Sequence, residues 1–148
     1  MKSLYLHEII RVIDGELITK NSNLLMKNVV KRTRNLDDHT LYFHLYKSRE
    51  ISLEDFTKYE ATAIVTEDPN CFKTSQDDVA VVLVEDIDEA YWKFVEYYRS
   101  LYEIPIIGVT GTSGKTTTKE MIKHILSEKL SVKATYKSWN ASWNGSCK

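Results

Sequence analysis

Residues 106–118 read Ile-Ile-Gly-Val-Thr-Gly-Thr-Ser-Gly-Lys-Thr-Thr-Thr, and their order decides the fold. An apolar, β-branched run, Ile106–Val109, leads into a turn with Gly111 and Gly114, and an amphipathic stretch follows it. In that stretch Met121, Ile122, Ile125 and Leu126 are apolar, while Lys119, Glu120 and Lys123 are polar. Strand, glycine-bearing loop, Gly-Lys-Thr and helix is the context of a phosphate loop (P-loop) in an α/β fold. Glycines let several backbone N–H groups converge on an anion, and the helix start adds its positive dipole end. Lys115 supplies a mobile cation for β/γ-phosphate oxygens, and the Thr116 hydroxyl is a ligand suited to Mg²⁺. The spacing departs from strict G-x-x-x-x-G-K-[ST], since Val109 stands where the first glycine would fall. Even so, the four required residue types would coincide by chance in about 1 in 200 chains of this length.

Working outward, Pro105 ends whatever precedes it, so a boundary is placed near Glu103–Pro105, giving domains 1–103 and 104–148. The clearest helix lies before it, over Asp86–Tyr102, where Ile87, Ala90, Tyr91, Phe94, Val95, Tyr98 and Leu101 recur at helical spacing. That aromatic stripe reads as a face packed on a sheet. Ala63–Thr66 and Val79–Val84 are continuous apolar runs suited to strands buried on both faces. Strands are also expected at Glu16–Thr19, Leu24–Val30, Leu41–Tyr46 and Val132–Tyr136. A first helix is expected over Leu4–Ile13 with Ser3 as N-cap and Asp14-Gly15 as its stop, and a further helix start at Ser52.

The 148 residues carry 20 basic and 21 acidic side chains, with 43% hydrophobic and 28% charged residues, as a soluble globular chain does. Residues 1–108 hold 13 basic and 19 acidic groups; residues 109–148 hold 7 and 2, so positive charge gathers around the loop. The overall balance excludes a nucleic-acid coat, and neither a membrane-spanning run nor a signal peptide is present. Cys71 and Cys147 form no C-x-x-C pair, which excludes a disulfide scaffold or zinc knuckle and points to the reducing cytoplasm. His7, His39, His44 and His124 lack metal-ligand spacing and read as surface or half-buried. The acidic pairs Asp77-Asp78 and Glu85-Asp86 read as turn and cap residues. Asn140-Ala-Ser and Asn144-Gly-Ser match glycosylation acceptors without a secretory context.

With these residues in view, the sequence resembles the Mur ligases, ATP-dependent enzymes that add amino acids to the peptidoglycan precursor. Their loop, T-G-[TS]-x-G-K-[TS]-[TS], is matched by Thr110–Thr117, and Thr118-Lys-Glu-Met121 is most similar to the D-Ala-D-Ala-adding or tripeptide-forming branches. The resemblance implies a small N-terminal α/β domain, 1–103, gripping the uridine nucleotide of a UDP-linked carboxylate substrate. It implies that residues 104–148 supply the first strand–P-loop–helix of a parallel-sheet ATPase domain. ATP and Mg²⁺ are the implied cofactors. Gly111, Thr112, Ser113, Gly114, Lys115, Thr116 and Thr117 would hold the nucleotide, with Lys115 catalytic and Thr116 on the metal. The family's Asp-Ser-Arg becomes Arg32-Thr33-Arg34, so Arg34 alone is carried over as a substrate contact. Asn140 matches an asparagine near the nucleotide, and the family's usual Gly-Asp becomes His39-Thr40.

About 32 residues follow Thr116, too few for the several parallel strands of a mononucleotide fold. The ATPase domain is therefore expected to be incomplete, and the chain to be a cytoplasmic N-terminal fragment inactive alone. The alternative is a non-catalytic α/β interaction module with a relic phosphate loop. A small P-loop kinase would need an acid on a second strand and a lid.

Overall fold

β-branched and small apolar residues at Thr62–Thr66 (β6) and Val79–Leu83 (β7) lie side by side in a five-stranded sheet, with Glu16–Leu17 (β2) beyond β7 and Thr40–Phe43 (β5) then Asn28–Val30 (β4) beyond β6. In this computed structural model, residues 2–19, 22–46, 51–68 and 79–135 are described. Asn28–Val30 (β4), Thr40–Phe43 (β5), β6 and β7 run parallel, and Glu16–Leu17 (β2) pairs antiparallel with β7. Leu4–Tyr5 (β1) and Leu25–Met26 (β3) form a separate antiparallel pair. Two helices, Leu6–Val12 (α1) and Ile87–Ser100 (α2), belong with these strands to a compact unit, Met1–Glu103.

Because successive side chains of a strand point to opposite faces, the runs along β5–β7 separate into two cores. Leu41, Phe43, Ala63, Val65, Ala80 and Val82 face one way and join Leu6, Ile9, Ile87, Ala90 and Phe94 from α1 and α2. Phe43 meets Tyr91 and Phe94 with ring centroids 5.3 and 5.6 Å apart, so the aromatic stripe of α2 is packing surface. Tyr42, Ile64 and Val79 face the other way, where Leu36 and Phe56 cover them. The Asp86 carboxylate caps α2 by accepting from the Glu89 N–H at 2.8 Å.

Several sequence expectations are corrected. The first helix starts at Leu6, not Leu4, because Leu4 and Tyr5 are drawn into β1; the Glu8 carboxylate, not Ser3, takes the first N–H, that of Tyr5, at 3.0 Å. The run Leu24–Val30 is two strands in two sheets, with Lys27 between them donating its N–H to the His39 carbonyl. Leu41–Tyr46 stops pairing as a strand after Phe43, where the Leu45 N–H turns back to the Phe43 carbonyl. The helix start at Ser52 is a three-residue 3-10 turn, Leu53–Asp55. His44 is not half-buried but fully buried, its Nδ1 3.3 Å from the Thr66 hydroxyl.

The second compact unit is Ile104–Lys148. Its regular element among the described residues is Lys115–Ser127 (α3). Neither Ile106–Val109 nor residues 132–135 form strands, because a strand is defined by a hydrogen-bonded neighbour and the described part of this unit supplies none. Tyr136, Asn140, Cys71, Cys147 and Asp77-Asp78 lie outside the described residues.

Candidate functional site

The loop from Thr110 to Gly114 is shaped by two glycines. Gly111 has φ 147° and Gly114 φ 74°, values that L side chains rarely adopt. A Cβ at Gly114 would meet nothing within 4 Å, so its glycine answers to backbone conformation rather than to crowding. Gly114 is the N-cap of α3 and its carbonyl accepts the Thr118 N–H at 2.9 Å. This leaves the N–H groups of the first helical turn, at Lys115, Thr116 and Thr117, beyond the reach of intrahelical carbonyls. They stand at the positive end of a 13-residue helix.

Lys115 opens α3 and folds back across the loop, where its ammonium donates to the Gly111 carbonyl at 2.5 Å. A neutral carbonyl is a weaker partner for an ammonium than a phosphate oxygen, so an arriving polyphosphate can take this lysine from Gly111. Thr112, Ser113, Thr116 and Thr117 are exposed, so the rim of the loop carries hydroxyls and no apolar cover. Glycine conformation, helix start and mobile ammonium together suit a nucleotide polyphosphate. A hydroxyl placed one residue after the lysine suits a hard cation that accompanies it.

Arg34 sits elsewhere, in the 3-10 turn Thr33–Asn35 just after β4, and is exposed. That position is at the carboxyl end of the parallel strands, the edge where open α/β sheets hold ligands. His44 and Thr66 follow or end β5 and β6 at the same edge. Asn140 lies outside the described residues. Among the described residues no group of three His, Cys, Asp or Glu side chains is placed to hold a metal ion.

One residue escaped the sequence reading. Lys119, assigned there to a polar face, has a side chain only 16% exposed and donates to the Thr135 carbonyl. Its place four residues after Lys115, on the same side of the helix, was the available signal.

Residues 109–146 match the family described as the Mur ligase middle domain. Over 62 residues the chain is 48% identical to a UDP-N-acetylmuramoyl-tripeptide–D-alanyl-D-alanine ligase of Synechocystis, covering 42% of this chain and 13% of that protein. Over 100 residues it is 31% identical to the ligase of the same name from Bacillus subtilis, covering 66% of this chain and 22% of that one. The chain thus spans less than a quarter of the length of either relative. A crystal structure of MurF from Acinetobacter baumannii matches 87% of this chain and 28% of its own, with a TM-score of 0.70 and 21% identity. A second structure, described as the Acinetobacter baumannii diaminopimelate–D-alanyl-D-alanyl ligase, matches the same share with a TM-score of 0.68 and 21% identity. These two likenesses carry the fold.

Proposed function

We propose, for a chain whose residues 109–146 match the Mur ligase middle-domain family and which shares the fold of MurF over 87% of its length, that it contributes to an ATP-dependent amide-bond-forming ligase of peptidoglycan precursor synthesis. In this reading residues 1–103 are the substrate-side domain and residues 104–148 open the ATP-binding domain. The parent reaction activates a substrate carboxylate with ATP as an acyl phosphate, which an amino group then attacks. The reading places the work in the cytoplasm; no helix among the described residues is long and apolar enough to cross a membrane.

The roles follow from the chemistry of each group. Backbone N–H groups of residues 111–117 hold the β-phosphate, and the ammonium of Lys115 leaves the Gly111 carbonyl to offset charge on the γ-phosphate. The Thr116 hydroxyl holds Mg²⁺, which screens phosphate charge when bound. Arg34 at the carboxyl edge of the sheet is the candidate contact to a UDP-linked carboxylate substrate, and Asn140 the candidate contact near the nucleotide. The observation that supports the reading most is the loop itself: two glycines at positive φ, with a lysine at the helix start bonded to a replaceable carbonyl.

Calorimetric titration of the 148-residue chain with Mg·ATP tests it. Binding in the micromolar range is expected, weakened about tenfold or more by Lys115→Ala, the worth of one charge-assisted hydrogen bond. Absence of binding, or indifference to Lys115→Ala, would favour the relic-loop module instead.

A further inference from the structure

The phosphate-binding roles leave Lys119 unused, although its side chain is only 16% exposed and donates to a backbone carbonyl. Four residues separate it from Lys115, which puts the two ammonium stems about 6 Å apart along one side of the helix. Lys115, Lys119, Ile122 and Leu126 are the partly covered residues of α3, and they recur at helical spacing; Met121 and Ile125 on another side are exposed. Lys119 therefore belongs to the inner stripe of the helix. Its ammonium donates to the Thr135 carbonyl and pairs with the Glu120 carboxylate at 2.9 Å.

The path of the chain explains what that bond does. α3 carries the backbone away from the loop, and Lys129 and Leu130 close it by donating to the Leu126 carbonyl at 3.2 and 2.9 Å. The five residues from Ser131 to Thr135 can span about 17 Å when extended. A 13-residue helix is about 20 Å long. The segment is long enough to return along most of α3, and the bond from Lys119 fixes where that return ends: at the second helical turn, one turn from the phosphate loop.

Resting on the phosphate-loop reading, we infer that Lys119 is a positioning residue, tethering the return segment 131–135 so that the chain arrives beside the mouth of the loop. The two lysines divide the work. Lys115 faces a neutral carbonyl and stays available to an anion, whereas Lys119 is already paired with Glu120 and donates to the Thr135 carbonyl. The Glu120 carboxyl is correspondingly held below the usual carboxylate range, first by its hydrogen bond to Lys119. A bare charge on Lys119 would compete for the same phosphate; a paired one does not.

The test compares Lys119→Met, which keeps the stem and removes the donors, with Lys119→Arg, which keeps a donor. In NMR of the ligand-free 148-residue chain, Lys119→Met is expected to shift the Thr135 carbonyl ¹³C resonance and lower the ¹⁵N heteronuclear NOE of residues 132–135. Lys119→Arg is expected to restore both. In titration with Mg·ATP, Lys119→Met is expected to bind about tenfold more weakly, and Lys119→Arg within about threefold of the unaltered chain. Nucleotide binding that ignores Lys119→Met, or an Arg variant no better than Met, would overturn the positioning role while leaving the phosphate loop intact. An unaltered chain that binds no nucleotide would instead bring down the phosphate-loop reading, and this inference with it.

Discussion

At Gly15 a single missing side chain is set by a neighbour rather than by backbone conformation. A Cβ there would lie 2.6 Å from Cγ1 of Val82 and 3.3 Å from Cγ1 of Ile13, both in the core under the sheet. Gly15→Ala is therefore expected to destabilise the protein by about 1–3 kcal/mol through overpacking, read as a lower midpoint in urea denaturation with unchanged m. An unchanged midpoint would mean that the core yields there. The pair Asp14-Gly15 was legible as a helix stop, but the division of labour within it was not. Asp14 takes the left-handed conformation, φ 52°, that glycine usually supplies, and its carboxylate accepts from Lys93 at 2.8 Å. His39 likewise holds φ 58° where the resemblance expected glycine, with Nδ1 3.1 Å from the Leu25 carbonyl. A long-range partner can hold a residue in a conformation its own propensity disfavours, and sequence spacing gives no hint of that partner.

Among the elements, the ones with strong internal periodicity were legible: α2 from its aromatic stripe, α3 from its amphipathic spacing, and β6 and β7 from their unbroken apolar runs. The division of Leu24–Val30 into β3 and β4 was not, because each half carries an apolar pair, Leu25-Met26 and Val29-Val30, and their different partners, Leu4–Tyr5 and Thr40–Tyr42, tell them apart. The chain just before β1 is tied to the C-terminal end of α2. The Lys2 N–H donates to the Tyr98 hydroxyl at 2.5 Å and to that of Tyr102 at 3.1 Å, and the two phenols lie 2.6 Å apart. Burial, then the hydrogen bond with Tyr102, push the Tyr98 phenol above its ordinary value. A raised folded value means that its contribution is full below the unfolded value near 10 and is lost as pH climbs through the folded one. Tyr98→Phe is expected to cost about 0.5–1.5 kcal/mol at pH 8, and to flatten the fall of melting temperature above pH 10. Parallel alkaline profiles for the two proteins would refute this role of the Tyr98 hydroxyl.

For the molecule as a whole, the two compact units bury their residues very differently. Among the described residues the buried core lies within residues 1–103, whereas α3 has no buried residue. A 13-residue helix is near the limit of what stands in water without tertiary support. Residues 1–103 produced alone are expected to melt cooperatively within about 3 °C of the full chain, since they hold the buried core found among the described residues. A fall of about 10 °C would show that residues 104–148 brace the sheet.

The exposed side chains of the second unit have a consequence of another kind. Ile106, Ile107, Met121, Ile125 and Leu130 are all exposed, five large apolar side chains within 25 residues of one another in the chain. Solubility is thus governed by a different part of the molecule from stability. Sulfate, which strengthens apolar association, would cloud a concentrated solution while raising the melting temperature of the sheet. In a cell, quality control acts on such surfaces, and the lifetime of the polypeptide would follow how quickly those five residues find cover, whatever the strength of the sheet's own fold.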